Sequence, residues 1–169
     1  PKTALLLNDL ALTYFNLKKY DQAEPLFQRA IAILEKHLGV EHYLTAECLR
    51  NLALLYLQQG KDQQAESLLS RALSIEEKHF GADHPKTAYT LCFLAILYHK
   101  QREYGQAELL YQRTLMIWEK HLGAEHPDTA LPLRGLAALL DRQGKYEQAT
   151  ALYHRVLNLD EQRLGATNP

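Results

Sequence analysis

PKTAYTLCFLAILYHKQREYGQAELLYQRTLMIWEKHLGAEH, residues 85–126, is one of four variants of a single unit. Sliding the chain by 42 residues brings 1–42, 43–84, 85–126 and 127–168 into register without a gap, and Pro169 takes the first position of a fifth. A fixed period in this range marks a repeat array, in which each unit needs its neighbours to bury its apolar side. The chain of 169 residues begins and ends in phase with the repeat and lacks an initiator Met, as expected of a piece cut from a longer array.

The first half of the unit spaces its apolar residues for a helix. Leu91, Leu94, Ala95 and Tyr98 lie at i, i+3, i+4 and i+7. Leu7, Leu10, Ala11 and Tyr14 hold the same positions, as do Leu49, Leu52, Ala53 and Tyr56, and then Leu133, Leu136, Ala137 and Leu140. The second half does likewise with Ala107, Leu110, Tyr111, Thr114 and Ile117. No window alternates as a strand would. The spacing predicts two amphipathic helices per unit, at about positions 2–17 and 20–38. The chain therefore reads as one all-α domain, 1–169, with eight antiparallel helices. Ala11, Ala53, Ala95 and Ala137 are matched by Ala23, Ala65, Ala107 and Ala149 on the second helices, and side chains this small allow close approach.

Breaks fall where this reading needs them. Gly60 and Gly144 sit between the paired helices, where a left-handed residue ends the first. Lys18 and Arg102 stand there in the other two units, so those turns are expected to carry strain. Gly39, Gly81, Gly123 and Gly165 are placed to close the second helices. Pro1, Pro85 and Pro127 take a first helical position, where no N–H is needed. The preceding residues, His42, His84, His126 and Asn168, read as N-caps whose side chains accept from free backbone N–H groups. The fourth unit departs most. Pro132 and Gly135 fall inside its first helix, where they predict a kink or loosened turn. Pro25, early in a second helix, is expected to be milder.

Composition excludes several function classes. Net charge is −1 and no unit is strongly basic, which argues against nucleic acid, whose binding rests on clustered cations. No apolar run reaches the ~18 residues that span a bilayer, and no signal peptide is expected. Cys48 and Cys92 lie apart, without a CxxC neighbour, and suit a reducing cytoplasm better than a disulfide framework.

The strings Leu94-Ala95-x-x-Tyr98, Gly144-Lys145-Tyr146-x-x-Ala149, Ala107-x-x-Leu110-Tyr111 and Arg71-Ala72-Leu73 resemble tetratricopeptide repeats. The 42-residue spacing and the Leu122-Gly123-x-x-His126-Pro127 linker resemble the variant found in kinesin light chains, nephrocystin-like proteins and many bacterial multidomain ATPases. That resemblance covers the whole chain. It implies a right-handed superhelix of four helix–turn–helix units. It also implies a protein-interaction scaffold that binds a peptide or partner segment in its concave groove. The alternative is a sensor or oligomerisation arm of a larger signalling protein such as a switch ATPase.

Chemistry is sparse. The recurrent histidines pair across a Gly turn at i, i+5, as in His37/His42, His79/His84 and His121/His126, rather than at the i, i+4 of a helical metal pair. Recurrence itself favours a structural role. No HExxH, G-x-S-x-G or phosphate-binding glycine loop is present, so neither catalysis, cofactor nor metal is expected. Trp118, the single tryptophan, has Leu34, Glu76 and Asp160 as counterparts and is expected to be half buried at most, packed on a linker.

The variable positions of the first helices, 5, 8, 9, 12 and 15, are those expected on the concave wall. From them come Asn8, Phe15, Arg50, Asn51, Leu57, Tyr89, Phe93, His99 and Arg134 as candidate groove residues. Amides would fix a peptide backbone, Arg would pair an acid, and aromatics would form pockets. The resemblance to kinesin light chains implies a short acidic peptide bearing an aromatic residue. The Asn-Asn pair typical of that groove is half kept, since Asp9 follows Asn8 and Arg50 precedes Asn51. The carboxylate clamp of chaperone-binding members is not reproduced. The apolar faces of the terminal units are expected to be exposed and open to self-association.

Overall fold

The computed structural model of the chain describes residues 1–165. Among them are eight α-helices, one 3₁₀ turn and no strand. The helices are α1 (Lys2–Asn16), α2 (Tyr20–Leu38), α3 (Tyr43–Gln59), α4 (Asp62–Phe80), α5 (Pro85–Lys100), α6 (Tyr104–Leu122), α7 (Ala130–Arg142) and α8 (Tyr146–Gly165), with the 3₁₀ turn at Pro127–Thr129. These are the two helices per unit that the periodicity predicts, and the fold is an all-α helical repeat.

The chain divides into two compact units, Pro1–Ala82 and Asp83–Pro169, each holding two repeats. In the first, α1 packs on α2, α3 on α4, and α2 meets α3. In the second, α5 packs on α6, α7 on α8, and α6 meets α7. All eight alanines of the paired columns are buried, so little more than a methyl group separates the backbones within each pair. Larger side chains are buried with them: Phe27 and Leu49 in the first unit, Tyr111, Leu133 and Leu159 in the second. Burying an aliphatic or aromatic side chain of this size contributes ~1.5–3 kcal/mol.

The turns follow local chemistry. Gly60 and Gly144 are left-handed, at φ 74° and 75°. Lys18 and Arg102 adopt the same region at φ 58° and 68° despite carrying a Cβ, as the missing glycines required. His42, His84 and His126 cap: their Nδ1 atoms accept from the backbone N–H of Leu44 (3.2 Å), Lys86 (3.1 Å) and Asp128 (3.3 Å). Threonines three residues beyond two of these caps fasten the linkers, Thr45 Oγ1 donating to the Gly39 carbonyl and Thr129 Oγ1 to that of His126. Asn168 and Pro169 lie outside the described residues, and α8 runs through Gly165, the last described residue.

A third contact recurs in both units and was not foreseen from the sequence. Arg71 donates to Glu35 (2.6 Å) and to the Val40 carbonyl, and Arg155 donates to Glu119 (2.5 Å) and to the Ala124 carbonyl. Each clamp ties a second helix to the preceding second helix and its linker. The pairs are partly exposed, so each contributes only ~0.2–1 kcal/mol.

The fourth unit is loosened at its entry: it opens with the 3₁₀ turn, and α7 starts at Ala130. Pro132 is thus the third residue of α7, among the first four whose N–H groups have no helical acceptor. Trp118 is not half exposed but 1% exposed. Its indole Nε1 donates to the Pro85 carbonyl at 3.2 Å, and its ring meets Tyr89 edge to face, with centroids 4.8 Å apart. Position 34 is an inward column: Leu34 and Glu76 are buried there as well.

Candidate functional site

The first helices α1 and α3 carry the candidate groove residues of the first unit. Most of them are engaged with the protein itself. Asn51 Nδ2 donates to Asn8 Oδ1 at 2.9 Å, and Asn8 is buried. The amides that would hold a peptide backbone hold each other. Arg50 reaches across to α4 and pairs with Glu76 at 2.6 Å, its side chain 15% exposed and that of Glu76 2% exposed. A carboxylate taken so far from water requires its partner, and removing one member of such a pair costs ~3–5 kcal/mol. Arg50 is therefore chiefly a structural counter-ion. Phe15 packs on Tyr20 at the α1–α2 turn, with centroids 5.8 Å apart, and Leu57 is half buried.

The second unit arranges its candidates differently. Tyr89 and Phe93 on α5 and Arg134 on α7 line one open cleft of about 320 Å³. Trp118 from α6 forms part of its floor, and Pro127, Asp128, Leu131, Asp160 and Arg163 complete its rim. The Tyr89 hydroxyl donates to the Asp128 carboxylate, which fixes the Tyr89 ring against Trp118. His99 does not join the cleft. It sits at the end of α5, edge-on to Tyr104 and Tyr111 of α6, where burial first and then the Arg142 charge lower its pKa.

Gly135, another variable position of α7, faces Tyr111 of α6. A Cβ there would lie 2.7 Å from Cε1 of Tyr111 and nearer still to Cζ and Cε2. The Tyr111 ring lies directly on the α7 backbone, and burial raises the pKa of its hydroxyl.

The two units use one register to different ends. Position 8 holds Arg50 in the second repeat and Arg134 in the fourth, and position 34 holds Glu76 and Asp160. Glu76 reaches its arginine. Asp160 is one methylene shorter, and Arg134 has no hydrogen-bond or ion-pair partner among the described residues while its side chain is exposed. Sequence reasoning missed Trp118, Asp128, Asp160 and Arg163 as site residues. The signal was present as an Arg and an acid at the same 26-residue separation in two of the four repeats.

No group of three or more His, Cys, Asp or Glu side chains is placed to hold a metal ion among the described residues. No helix among them is long and apolar enough to cross a membrane.

A tetratricopeptide-repeat family model matches residues 2–78, 63–120 and 110–162. The chain belongs to the tetratricopeptide-repeat family. Repeats of this family mediate protein–protein interactions, and the scaffold is typically non-catalytic. No curated protein matches the chain. Among solved structures, BtubC (BKLC) from P. vanneervenii is similar over 96% of this chain and 65% of its own, at 23% identity and a TM-score of 0.81. The tetratricopeptide chain thus spans less than two thirds of that protein's length. A putative kinesin light chain from Podosopora anserina with nearly identical TPR-like repeats is 25% identical, over 97% of this chain and 77% of its own, with a TM-score of 0.73. The pilF protein of Pseudomonas aeruginosa is 19% identical over 95% of this chain and 62% of its own, with a TM-score of 0.69. The kinesin-light-chain-like character of the tetratricopeptide array stands on the second of these.

Proposed function

We propose that the chain is a protein-interaction scaffold whose second unit binds a short segment of a partner protein, one carrying an acidic residue beside an aromatic or bulky apolar one. The observation that carries this reading is the exposed Arg134 guanidinium beside a cleft walled by Tyr89 and Phe93. A guanidinium with spare donors pairs a carboxylate in two-pronged fashion, and an aromatic wall next to it gives area for an anchor side chain. The first unit contributes less to ligand capture, since Asn8, Asn51 and Arg50 are satisfied internally. The role is binding rather than catalysis. A cytoplasmic setting fits the two free, buried cysteines, Cys48 and Cys92.

Trp118, the single tryptophan, lines the cleft. Its fluorescence reports on occupancy, provided the peptides offered contain Tyr or Phe instead of Trp. Peptides selected by display against the chain are expected to be acidic and aromatic and to shift that emission. Arg134→Glu should weaken them at least about tenfold, the loss of one charge-assisted pair, with helical circular dichroism and melting unchanged. Undiminished binding by Arg134→Glu would sink the proposal. Arg50→Glu is unsuitable for the same test, because it would leave Glu76 buried beside a like charge.

A second reading is that the array acts as an association arm of a larger signalling protein. Two apolar faces favour it: Leu6 and Leu10 on α1 and Tyr153 and Leu157 on α8 are exposed, whereas Leu52, Leu94 and Leu136, which share Leu10's column, are buried. Sedimentation over a range of concentrations decides it, because a monomer throughout would remove this reading.

A further inference from the structure

The three linker histidines do one job with one atom. In each case an unprotonated Nδ1 accepts the N–H two residues on, at the start of α3, of α5 and of the 3₁₀ turn that leads into α7. An imidazole that accepts at Nδ1 cannot carry a proton there, so each cap exists only in the neutral side chain. Imidazole is also the side chain whose ordinary titration lies nearest neutrality.

The surroundings of the caps repeat as well. His42 stacks on Tyr43, and Tyr43 stacks on His79 from the end of α4. Glu41, beside His42, is held by Lys78 of α4. His84 is faced by Lys86 on its own helix and by His121 at the end of α6. His126 has the Asp128 carboxylate 3.7 Å away, and Arg163, in the column of His79 and His121, shares the cleft with Asp128. Each cap thus has a basic group from the end of a second helix in its neighbourhood. Two of those groups are themselves histidines, His79 and His121.

We propose that His42, His84 and His126 form a distributed pH latch. Neutral, they fasten the starts of α3, of α5 and of the 3₁₀ turn before α7. Protonated, they release those starts. The direction is consistent at His84, where burial first, then Lys86 and His121, lower the pKa below its ordinary value. A histidine with a lowered folded-state pKa binds protons more readily when unfolded. Its contribution to stability is therefore complete above the ordinary histidine value and is lost as pH falls below that value and through the lower folded-state one. At His126 the Asp128 carboxylate lies 3.7 Å from Nδ1, so the side chain keeps a partner in the same turn when the cap is lost, and the start of α7 should respond least.

The experiment uses the whole chain with inorganic buffer alone. Amide exchange, corrected for intrinsic rates, is followed at Leu44, Lys86 and Asp128 between about pH 7.5 and pH 5, a window that brackets imidazole titration. Protection at Leu44 and Lys86 is expected to fall about fivefold on acidification, the equilibrium weight of one lost cap, and less at Asp128. The triple variant His42→Asn, His84→Asn, His126→Asn keeps a capping acceptor that does not titrate. Its helix starts should hold their protection at pH 5, and its melting temperature should vary less with pH than that of the parent. Nitrogen shifts of the parent imidazoles provide a second measurement, with Nδ1 unprotonated at neutral pH and titrating together with the loss of protection. The latch is overturned if the Asn variant loses protection on acidification as the parent does, or if Nδ1 is protonated at neutral pH.

Discussion

At the scale of the residue, Tyr111 and Gly135 show how far one side chain can dictate another. Alanine ordinarily favours a helix over glycine by ~1 kcal/mol. In α7 that gain is opposed by the buried Tyr111 ring, whose atoms occupy the place a Cβ would take. Overpacking a filled site costs ~1–3 kcal/mol, so Gly135→Ala should lower stability on balance. With Tyr111→Leu, the residue that Leu69 supplies at the same position of the second repeat, the ring is gone. Gly135→Ala should then become neutral or stabilising. Urea unfolding of the two singles and the double gives the answer, and a substitution that costs the same in both backgrounds would refute the coupling. Sequence reading placed Gly135 on the concave wall because variability marked its column as unconstrained. The constraint lies on α6 and becomes visible only when the two helices meet. Trp118 was misjudged for a related reason. Its column holds Leu34, Glu76, Trp118 and Asp160, a mixture with no consistent hydropathy, and it is buried in part because the charged member Glu76 brings its own counter-ion, Arg50.

At the scale of the element, the helices were legible nearly to the residue. The second helices start and stop where Gly39, Gly81 and Gly123 and the preceding turns require. The fourth repeat differed because its proline lies so near the entry that a shifted start relieves it, and periodicity alone cannot distinguish a late start from a kink. The turns supply a prediction of their own. Lys18 and Arg102 hold left-handed backbone that costs a residue with a Cβ ~1–2 kcal/mol. Glycine removes that strain but adds ~0.4–1 kcal/mol of unfolded-chain entropy. The double variant Lys18→Gly, Arg102→Gly is therefore expected to gain roughly 1 kcal/mol in all, read as a higher denaturation midpoint with an unchanged slope. A lower midpoint would mean that contacts of the two long side chains outweigh the backbone term.

At the scale of the whole molecule, the chain carries a net charge of −1 with its eight histidines neutral. It therefore has little colloidal repulsion near neutrality, while Leu6, Leu109 and Met116 remain in contact with water. Solubility in polyethylene glycol should pass through a minimum at about pH 7 and rise on the alkaline side. A monotonic curve would contradict this. The period of 42, the pairing of helices and the class of function were accessible from the sequence because they repeat, and repetition averages out local ambiguity. The engagement of Arg50 was not, because it depends on an acid, Glu76, long enough to reach it from the neighbouring helix. The ring of Tyr111 seated on Gly135 has a final consequence for the history of the array. Copies of a duplicated module begin as interchangeable parts. Here the third repeat carries the knob and the fourth the matching recess, so these two are a fitted pair in that order.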